Sequence, residues 1–579
     1  MVDKKALSRI FYEIGTLLEL KGENRFKCIA YQTAARNIDA LTVDIEELIE
    51  TDELKNVRGI GKTTAENIVE YVQTGHIEFY EKLRSSIPAG VMEMLRVQGL
   101  GPKKVKLLFE KLKIKSLEQL KKAAENEKLR DIAGFGQKTE ENILKGIAAL
   151  SKVSDKQLYS TAKEAADRMI AAVDTIKGVS RVEAAGSLRR KKEIIGDIDI
   201  VVSATKAARE KVFEKFVSHP DVANIIARGD TKTSVILKGG INCDMRIVEE
   251  SEYPFALNYF TGSKEHNVEV RSLARKLGWS LNEYSFSKVE GMNAKTPPAC
   301  KSEAEIYESL GLRYIEPELR EATGELDAAA ENKLPKLVEY KDLRGTFHCH
   351  STYSDGANTL EELSSAAHAM GWEYLGIADH SQIAVYANGL TPEKVREQQK
   401  EIDKLNARLK GFRLFKGTEV DILGDGSLDY PDKVLASFEY VLASIHSRMK
   451  MTEAETTKRI IKALKNKYVT MLGHPTGRLL LNRDGYPVNM IEVINAAADY
   501  GKSIEINSHP LRLDLDWRLV KYAREKGVPI CINPDAHNVD GLKDVEYGVG
   551  IARKGWLMKK NVVNAWSSVE VEKFFSGAR

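Results

Sequence analysis

The sequence predicts a multidomain chain: an α-helical first quarter, an α+β centre, and a barrel of repeated βα units at the carboxyl end. Three observations carry this reading. The chain has 579 residues, more than the roughly 250–300 that one hydrophobic core supports, so three or more domains are expected. A Gly-x-Gly pattern recurs three times before residue 150. Eight of the eleven histidines lie beyond residue 340, most of them just after short apolar runs.

Composition narrows the class. With 43% hydrophobic and 30% charged residues and no low-complexity tract, the chain reads as globular protein. No apolar run reaches the roughly 18 residues needed to cross a bilayer. The opening MVDKKALSRIFYEIGTLLEL reads as an amphipathic helix and lacks the small-residue cleavage site of a signal peptide. Cys28, Cys243, Cys300, Cys349 and Cys531 form no CxxC pair, which predicts a reducing cytoplasm rather than a disulfide scaffold or zinc ribbon. The net charge of +3 identifies no partner by itself. Its distribution says more, because Lys103, Lys104, Lys106, Lys111, Lys113, Lys115, Lys121 and Lys122 crowd one segment. Alone, that run is a solvated helical face; beside the motifs around it, it becomes a phosphate-binding surface.

The first element is the repeat. VRGIGKTTAENIVEYV (57–72), VQGLGPKKVKLLFEKL (97–112) and IAGFGQKTEENILKGI (132–147) each place a Gly-x-Gly turn before helical apolar spacing. This is the helix-hairpin-helix pattern. Gly59 and Gly61, Gly99 and Gly101, and Gly134 and Gly136 expose backbone N–H groups at a helix start, which suits a DNA phosphate and reads no base. Arg25, Lys27 and Tyr31 lie on a helix predicted over 22–38 and extend the candidate DNA face.

The second element is a carboxylate site. Gly186-Ser187-Leu188-Arg189-Arg190 precedes Gly196-Asp197-Ile198-Asp199-Ile200, and strand alternation turns Asp197 and Asp199 to one face. A hairpin over TSVILKGGINCDMRIVEE, turning at Gly239-Gly240, alternates Ile241, Cys243, Met245 and Ile247 with outward Asn242, Asp244 and Arg246. Adjacent strands would bring Asp244 to the same cleft. Three carboxylates can hold two Mg²⁺ or Mn²⁺ ions for nucleotidyl transfer. The Gly186–Ser187 turn and Gly196 would wrap phosphate, and Arg190 would neutralise developing charge.

The third element is the histidine-rich end. GTFHCHSTYSDG, YLGIADHS, RLFKGTEVDI, YVLASIHS, VTMLGHPT, SIEINS and PICINPDAH are separated by helical stretches, the pattern of βα units closing into a barrel. Candidate ligands fall at strand carboxyl ends, where barrel active sites form: His348, His350, Asp355, His380, Glu419, His446, His474, Asp535 and His537. Imidazoles and carboxylates without thiolates suit two or three ions of Mn²⁺, Zn²⁺ or Fe²⁺. His368, on a predicted helix, and His509, outside the pattern, are read as structural.

These motifs together resemble family X DNA polymerases of the bacterial and archaeal type, which end in a polymerase and histidinol phosphatase (PHP) domain. The likeness spans essentially the whole chain. Tyr259-Phe260-Thr261-Gly262-Ser263 matches the family's sugar-discriminating turn, and Asn267 and Arg271 match residues that contact base and template. The family implies helix-hairpin-helix domains over 1–85 and 86–150, a palm over 151–250 and a nucleotide-selecting thumb over 251–316. An ordered linker over 317–342 and a PHP domain over 343–579, a distorted (β/α)7 barrel, complete it. It implies gap filling in base excision repair, with 3′–5′ exonuclease, AP endonuclease or 3′-phosphatase chemistry in the barrel. Gapped or primer-template DNA and deoxynucleoside triphosphates would be the partners, with monovalent cations at the hairpin turns. A nucleoid-associated cytoplasmic location follows, and the absence of a long heptad suggests a monomer. Asn67 stands where the family's lyase lysine belongs, and an amide forms no imine. Two other readings compete: a nuclease that uses its first half to deliver DNA, and a repair scaffold with structural barrel metals. The intact carboxylates and the open, mixed ligand set argue against both.

Overall fold

The structure, a computed structural model, describes residues 4–39, 45–51, 53–57, 59–95, 97, 100–130, 132, 134–153 and 156–577. The chain divides into two compact units, Met1–Ser154 with Gly356–Asn358, and Asp155–Asp355 with Thr359–Arg579.

The first unit is helical throughout its described elements. Helix Lys4–Lys21 buries Leu7, Phe11, Ile14, Leu17 and Leu18, a stripe at helical spacing. It packs on helix Arg25–Asp39 in a core that also takes Ile60, Ile68 and Leu83. A second core gathers Val97, Leu100, Val105, Leu108, Leu120, Phe135 and Ile143. The described hairpin glycines sit at turns and helix starts. Gly61 and Gly101 cap helices Lys62–Thr74 and Pro102–Leu112, and Gly136 precedes Gln137–Val153. Gly59 (φ +78°) and Gly134 (φ +90°) take the left-handed backbone that a side chain resists.

In the second unit, five strands form a sheet in the order Val179–Ala184, Asp197–Ala204, Asn242–Val248, Lys232–Leu237, Val222–Arg228. Only the Asp197–Ala204/Asn242–Val248 pair is parallel. Ile198, Ile200, Val202, Cys243, Met245 and Ile247 pack beneath helices Tyr159–Asp174 and Arg209–Val217. The other face receives helix Tyr253–Thr261 through Val201, Ala256 and Leu257.

The carboxyl-terminal part is the expected barrel. Its strands are all parallel, in one sheet of three (Gly345–Thr346, Tyr374–Ile377, Arg413–Lys416) and one of five (Glu419–Asp421, Leu442–Ser444, Met471–Leu472, Ser503–Asn507, Ile530–Asn533). Arg413–Lys416 and Glu419–Asp421 are halves of one run, so the staves number seven. The run breaks at Gly417, where a Cβ would meet the Tyr440 ring at 2.1 Å. A parallel bridge between Cys349 and Ala536 joins the first stave to the last.

The stretch between the five-stranded sheet and the barrel is built into both. It holds the short helices Pro317–Leu319, Glu325–Ala330 and Tyr340–Asp342. Arg320, fully buried, pairs with Glu303 at 2.6 Å. Lys554 from the barrel, 2% exposed, donates to the Arg190 carbonyl at 3.0 Å and to Glu321 at 2.5 Å. Arg553 pairs with Glu318 at 2.7 Å, and Tyr547 packs edge-on against Tyr159 at 5.9 Å.

Candidate active sites

The hairpin places the three carboxylates together. Parallel register sets Asp199 opposite Asp244 and Asp197 opposite Asn242, while the alternating isoleucines point into the core. Burial pushes Asp199 up to about 7; repulsion from Asp197 and Asp244 adds to it, and Arg246 and Lys232 pull the other way. Acids that repel one another in this way are suited to divalent cations. The Lys232 ammonium already lies 2.5 Å from Asp244.

Gly186 begins the helical turn Gly186–Arg189 with φ +61°. A Cβ there would sit 2.5 Å from Asp199 Oδ2, so the glycine is what lets that carboxylate stand where it does. Ser187 is half-buried on the same turn. Around Gly196 the space is open, and crowding does not demand a glycine. Arg190 corrects an expectation. Rather than facing phosphate, it is 8% exposed, donates from Nε to Glu321 at 3.0 Å and from Nη1 to the Thr261 carbonyl. A buried guanidinium needs such partners, and these hold it against Gly262, where a Cβ would lie 3.0 Å from its Nη1. Arg189 likewise pairs with Glu303 through two bonds of 3.0 and 2.6 Å.

Tyr259 and Phe260 end helix Tyr253–Thr261, their rings edge to face at 5.1 Å. Arg271 lies 6.0 Å from the Tyr259 ring centre, and Arg246 4.3 Å from that of Phe260. Asn267 donates to the Tyr259 carbonyl at 2.7 Å. These groups therefore form one connected face, which Arg246 links to the strand that carries Asp244.

In the barrel, the nine expected ligands converge. Three overlapping sets have ligand atoms within 4.8 Å of one another: His350, Asp355, His380 and His537; His348, His350 and Asp535; His380, Glu419 and His446. His474 lies outside these sets, yet its Nε2 is 2.9 Å from Glu419. His348 Nε2, His350 Nδ1 and His474 Nδ1 are buried with no hydrogen-bond partner, a cost that a bound cation would remove. Burial, then His537 and His380, lower His350 to about 3, leaving a neutral ligand. Burial opposes protonation of His446 and His537 as well. The carboxylates of Glu419 and Asp421 outweigh it at His446, raised to about 10, and Asp355 and Asp535 do so at His537, raised to about 9. Protons thus balance carboxylates that cations would otherwise balance. Asp535 holds a left-handed backbone, φ +55°, the kind of strain that gathers at working sites.

Several residues of this site escaped the sequence reading. The Glu505 carboxylate accepts from His348 Nδ1 at 2.7 Å and from the His474 backbone N–H at 2.6 Å. Asp421 lies 3.2 Å from His446 Nδ1. Such carboxylates fix the tautomer and turn the other ring nitrogen toward the site. An acid inside the apolar strand SIEIN was the available signal for Glu505. His509 accepts from the Leu511 N–H in a tight turn, and His368 packs 5.5 Å from Phe412, both structural as read.

Of the candidate DNA contacts, Gly61, Gly101, Gly134 and Gly136 have no atom closer than 4.0 Å to a built Cβ, so their backbone is open to a ligand. Gly59 packs against Asn37, and Gly99 lies outside the described residues. Arg25 and Lys103 are exposed, while Lys104 lies 5.6 Å from the Phe135 ring. Three other lysines of the basic run, Lys106, Lys121 and Lys122, pair with glutamates one turn away. Tyr31 corrects a second expectation. It is 3% exposed between Phe11 and Phe79, and its hydroxyl accepts from Asn67 at 2.9 Å, so it belongs to the core.

Comparison with known proteins matches several parts of the chain. A helix-hairpin-helix domain matches residues 2–77, a SAM-like helix-hairpin-helix tandem 91–149, the DNA polymerase beta thumb 256–321 and the PHP domain 346–509. The chain is 40% identical over 573 residues, 99% of both chains, to the DNA polymerase/3′-5′ exonuclease PolX of Bacillus subtilis. It is also 30% identical over 228 residues, 38% of this chain and 88% of the other, to a probable phosphatase of Thermoanaerobacter sp.. With a relative matched over 99% of both chains, a DNA polymerase beta thumb at 256–321 and a PHP domain at 346–509, the chain belongs to the family X DNA polymerases that carry a carboxyl-terminal PHP domain.

Proposed function

We propose that the protein fills short DNA gaps, as in base excision repair, with its palm and thumb, and trims 3′ ends hydrolytically in its barrel. The observation that carries the first half is the register that sets Asp199 against Asp244 beside Asp197. The relative of like length supports the pairing of activities, since its name joins polymerase and 3′-5′ exonuclease.

The chain's own residues divide the work. Asp197, Asp199 and Asp244 would hold Mg²⁺ or Mn²⁺, and the nine barrel residues two or three ions of Mn²⁺, Zn²⁺ or Fe²⁺. Those ions would supply charge neutralisation and Lewis acidity at the reacting phosphates. Gly186 keeps Asp199 in line, and Arg190 holds the Thr261 carbonyl, which fixes the turn at Gly262. Tyr259, Phe260 and Gly262 pack on the deoxynucleotide sugar, where a 2′-hydroxyl would clash. Asn267 and Arg271 reach the base and template strand. The open hairpin glycines bind backbone phosphates of gapped or primer-template DNA. In the barrel, Glu505 and Asp421 orient His348 and His446. The same site serves AP-endonuclease or 3′-phosphatase chemistry when the end presented differs. A monomer active at the nucleoid fits this work; among the described residues, no helix is long and apolar enough to cross a membrane.

The test uses a labelled primer in a one-nucleotide gap with Mn²⁺, with and without deoxynucleotides. Extension with them and shortening without them support the reading. Asp199→Ala should abolish extension alone and His350→Ala shortening alone; loss of both in either variant would overturn the assignment of two sites.

A further inference from the structure

Beside the histidine cluster stands a loop that none of the steps above uses. Between Ser381 and Leu390 it presents Ile383, Val385 and Tyr386 at 50%, 82% and 72% exposure. Three large apolar side chains held in water within four residues mark a binding surface, and the loop that holds them is tied down. Leu390 donates its N–H to the His380 carbonyl at 2.8 Å, and Ser381 donates to that of Glu419 at 3.0 Å. At the neck, a Cβ on Gly389 would lie 1.9 Å from the Ser381 carbonyl, leaving no room for a side chain. Asn388, in a left-handed turn at φ +54°, donates to the Tyr353 carbonyl at 3.1 Å. Ile383 N–H donates to Asp429 at 2.9 Å.

This pedestal adjoins the cluster. The Tyr386 ring lies 6.2 Å from that of His380. Tyr386 thus stands close to the cluster and, at 72% exposure, open to solvent.

We infer that Tyr386, with Val385 and Ile383, seats the terminal nucleobase of a single-stranded DNA 3′ end whose phosphodiester reaches the histidine cluster. The inference rests on the hydrolase reading and deepens it from chemistry to selectivity. A nucleobase is one sugar away from its phosphate, so whatever strand end is cut there must place a base against this loop. Every base has a π-face, so an aromatic platform takes any of the four. A base stacked within a duplex has no such face to offer, and a mismatched one leaves the stack at least cost. The loop thus selects frayed ends over paired ones.

The test uses the full chain and a single-stranded oligonucleotide with 2-aminopurine at its 3′ terminus, in chelator so that nothing is cut. Wild type and Tyr386→Phe should quench the fluorescence, with Tyr386→Ala needing at least about tenfold more protein. With Mn²⁺, the ratio of kcat/KM on single-stranded ends to kcat/KM on bis(p-nitrophenyl) phosphate, which has no nucleobase, should fall about tenfold in Tyr386→Ala and recover in Tyr386→Phe. Equal quenching by wild type and Tyr386→Ala overturns the inference, as does an equal loss on both substrates. Tyr386-dependent quenching by a wild type that releases no nucleotide would sink the hydrolase reading and leave the base seat standing.

Discussion

Replacing Gly186 by alanine isolates the carboxylate geometry from everything else the palm does. The new Cβ would lie 2.5 Å from Asp199 Oδ2, where ordinary contact begins near 3.4 Å, so the carboxylate must retreat by about 0.9 Å. Catalytic groups misplaced by ~1 Å cost on the order of 10²-fold in rate. The backbone at φ +61° adds strain of about 1 kcal/mol once a Cβ is present, too little to unfold the unit. Single-nucleotide gap filling with Mg²⁺ should therefore slow about 100-fold in kcat. Shortening of the same primer with Mn²⁺, measured on the same preparation, should stay near wild type because the barrel is untouched. Extension at the wild-type rate would refute the idea that this glycine sets Asp199. Loss of both activities would refute it too, by placing the damage in the fold.

Glu303→Gln leaves Arg320 buried without its charge partner and should destabilise the second unit by about 3–5 kcal/mol in urea unfolding. In the wild type, burial works to raise the Glu303 carboxyl, but Arg320 and Arg189 outweigh it and hold it at about 2 instead of 4.5. The folded value is the lower one, so the stabilisation, about 3 kcal/mol, is full above pH 4.5 and drains as pH falls toward 2. The variant should flatten that slope, and an unchanged slope would count against the pair. Glu505→Gln weakens the anchor on His348 and should cut barrel metal affinity or hydrolysis about 10- to 100-fold without slowing extension. Equilibrium dialysis of Mn²⁺ and the primer assay read the two. Stripping metal with chelator should lower the barrel's unfolding temperature by about 2–4 °C per 1 kcal/mol of binding lost, with Mn²⁺ or Zn²⁺ restoring it; calorimetry showing no shift would mean the cluster holds no ion.

Much of this was legible in the sequence because it depended on period and order. Alternation alone put Asp244 on the outward face of its strand, and a glycine pair told where that strand turned back. The barrel ligands were visible because they follow short apolar runs, three of them after the first run and two after the last, so strand ends and ligands coincide. What stayed hidden depended on partners distant in the chain. Arg190 looks like a phosphate clamp until Glu321, some 130 residues later, takes its Nε. Tyr31 looks like a contact on an exposed helix face until Asn67 and the rings of Phe11 and Phe79 enclose it. Glu505 hides for a different reason: acids inside apolar strands are read as exceptions, although this one faces the barrel's interior.

The joint at Lys554 bears on how such a gene can be cut. A polymerase half ending before residue 343 would keep Glu318, Glu321 and the Arg190 carbonyl but lose the cations of Arg553 and Lys554 that meet them. Its severed surface would carry two acids and an unfilled carbonyl where a lysine once sat at 2% exposure. Glu321 would keep Arg190 and Lys192 beside it and Glu318 would keep Lys191, so the loss falls on the two barrel cations that close the joint. The boundary between the two enzymes is thus written in charge, on both sides, and neither side reads complete alone.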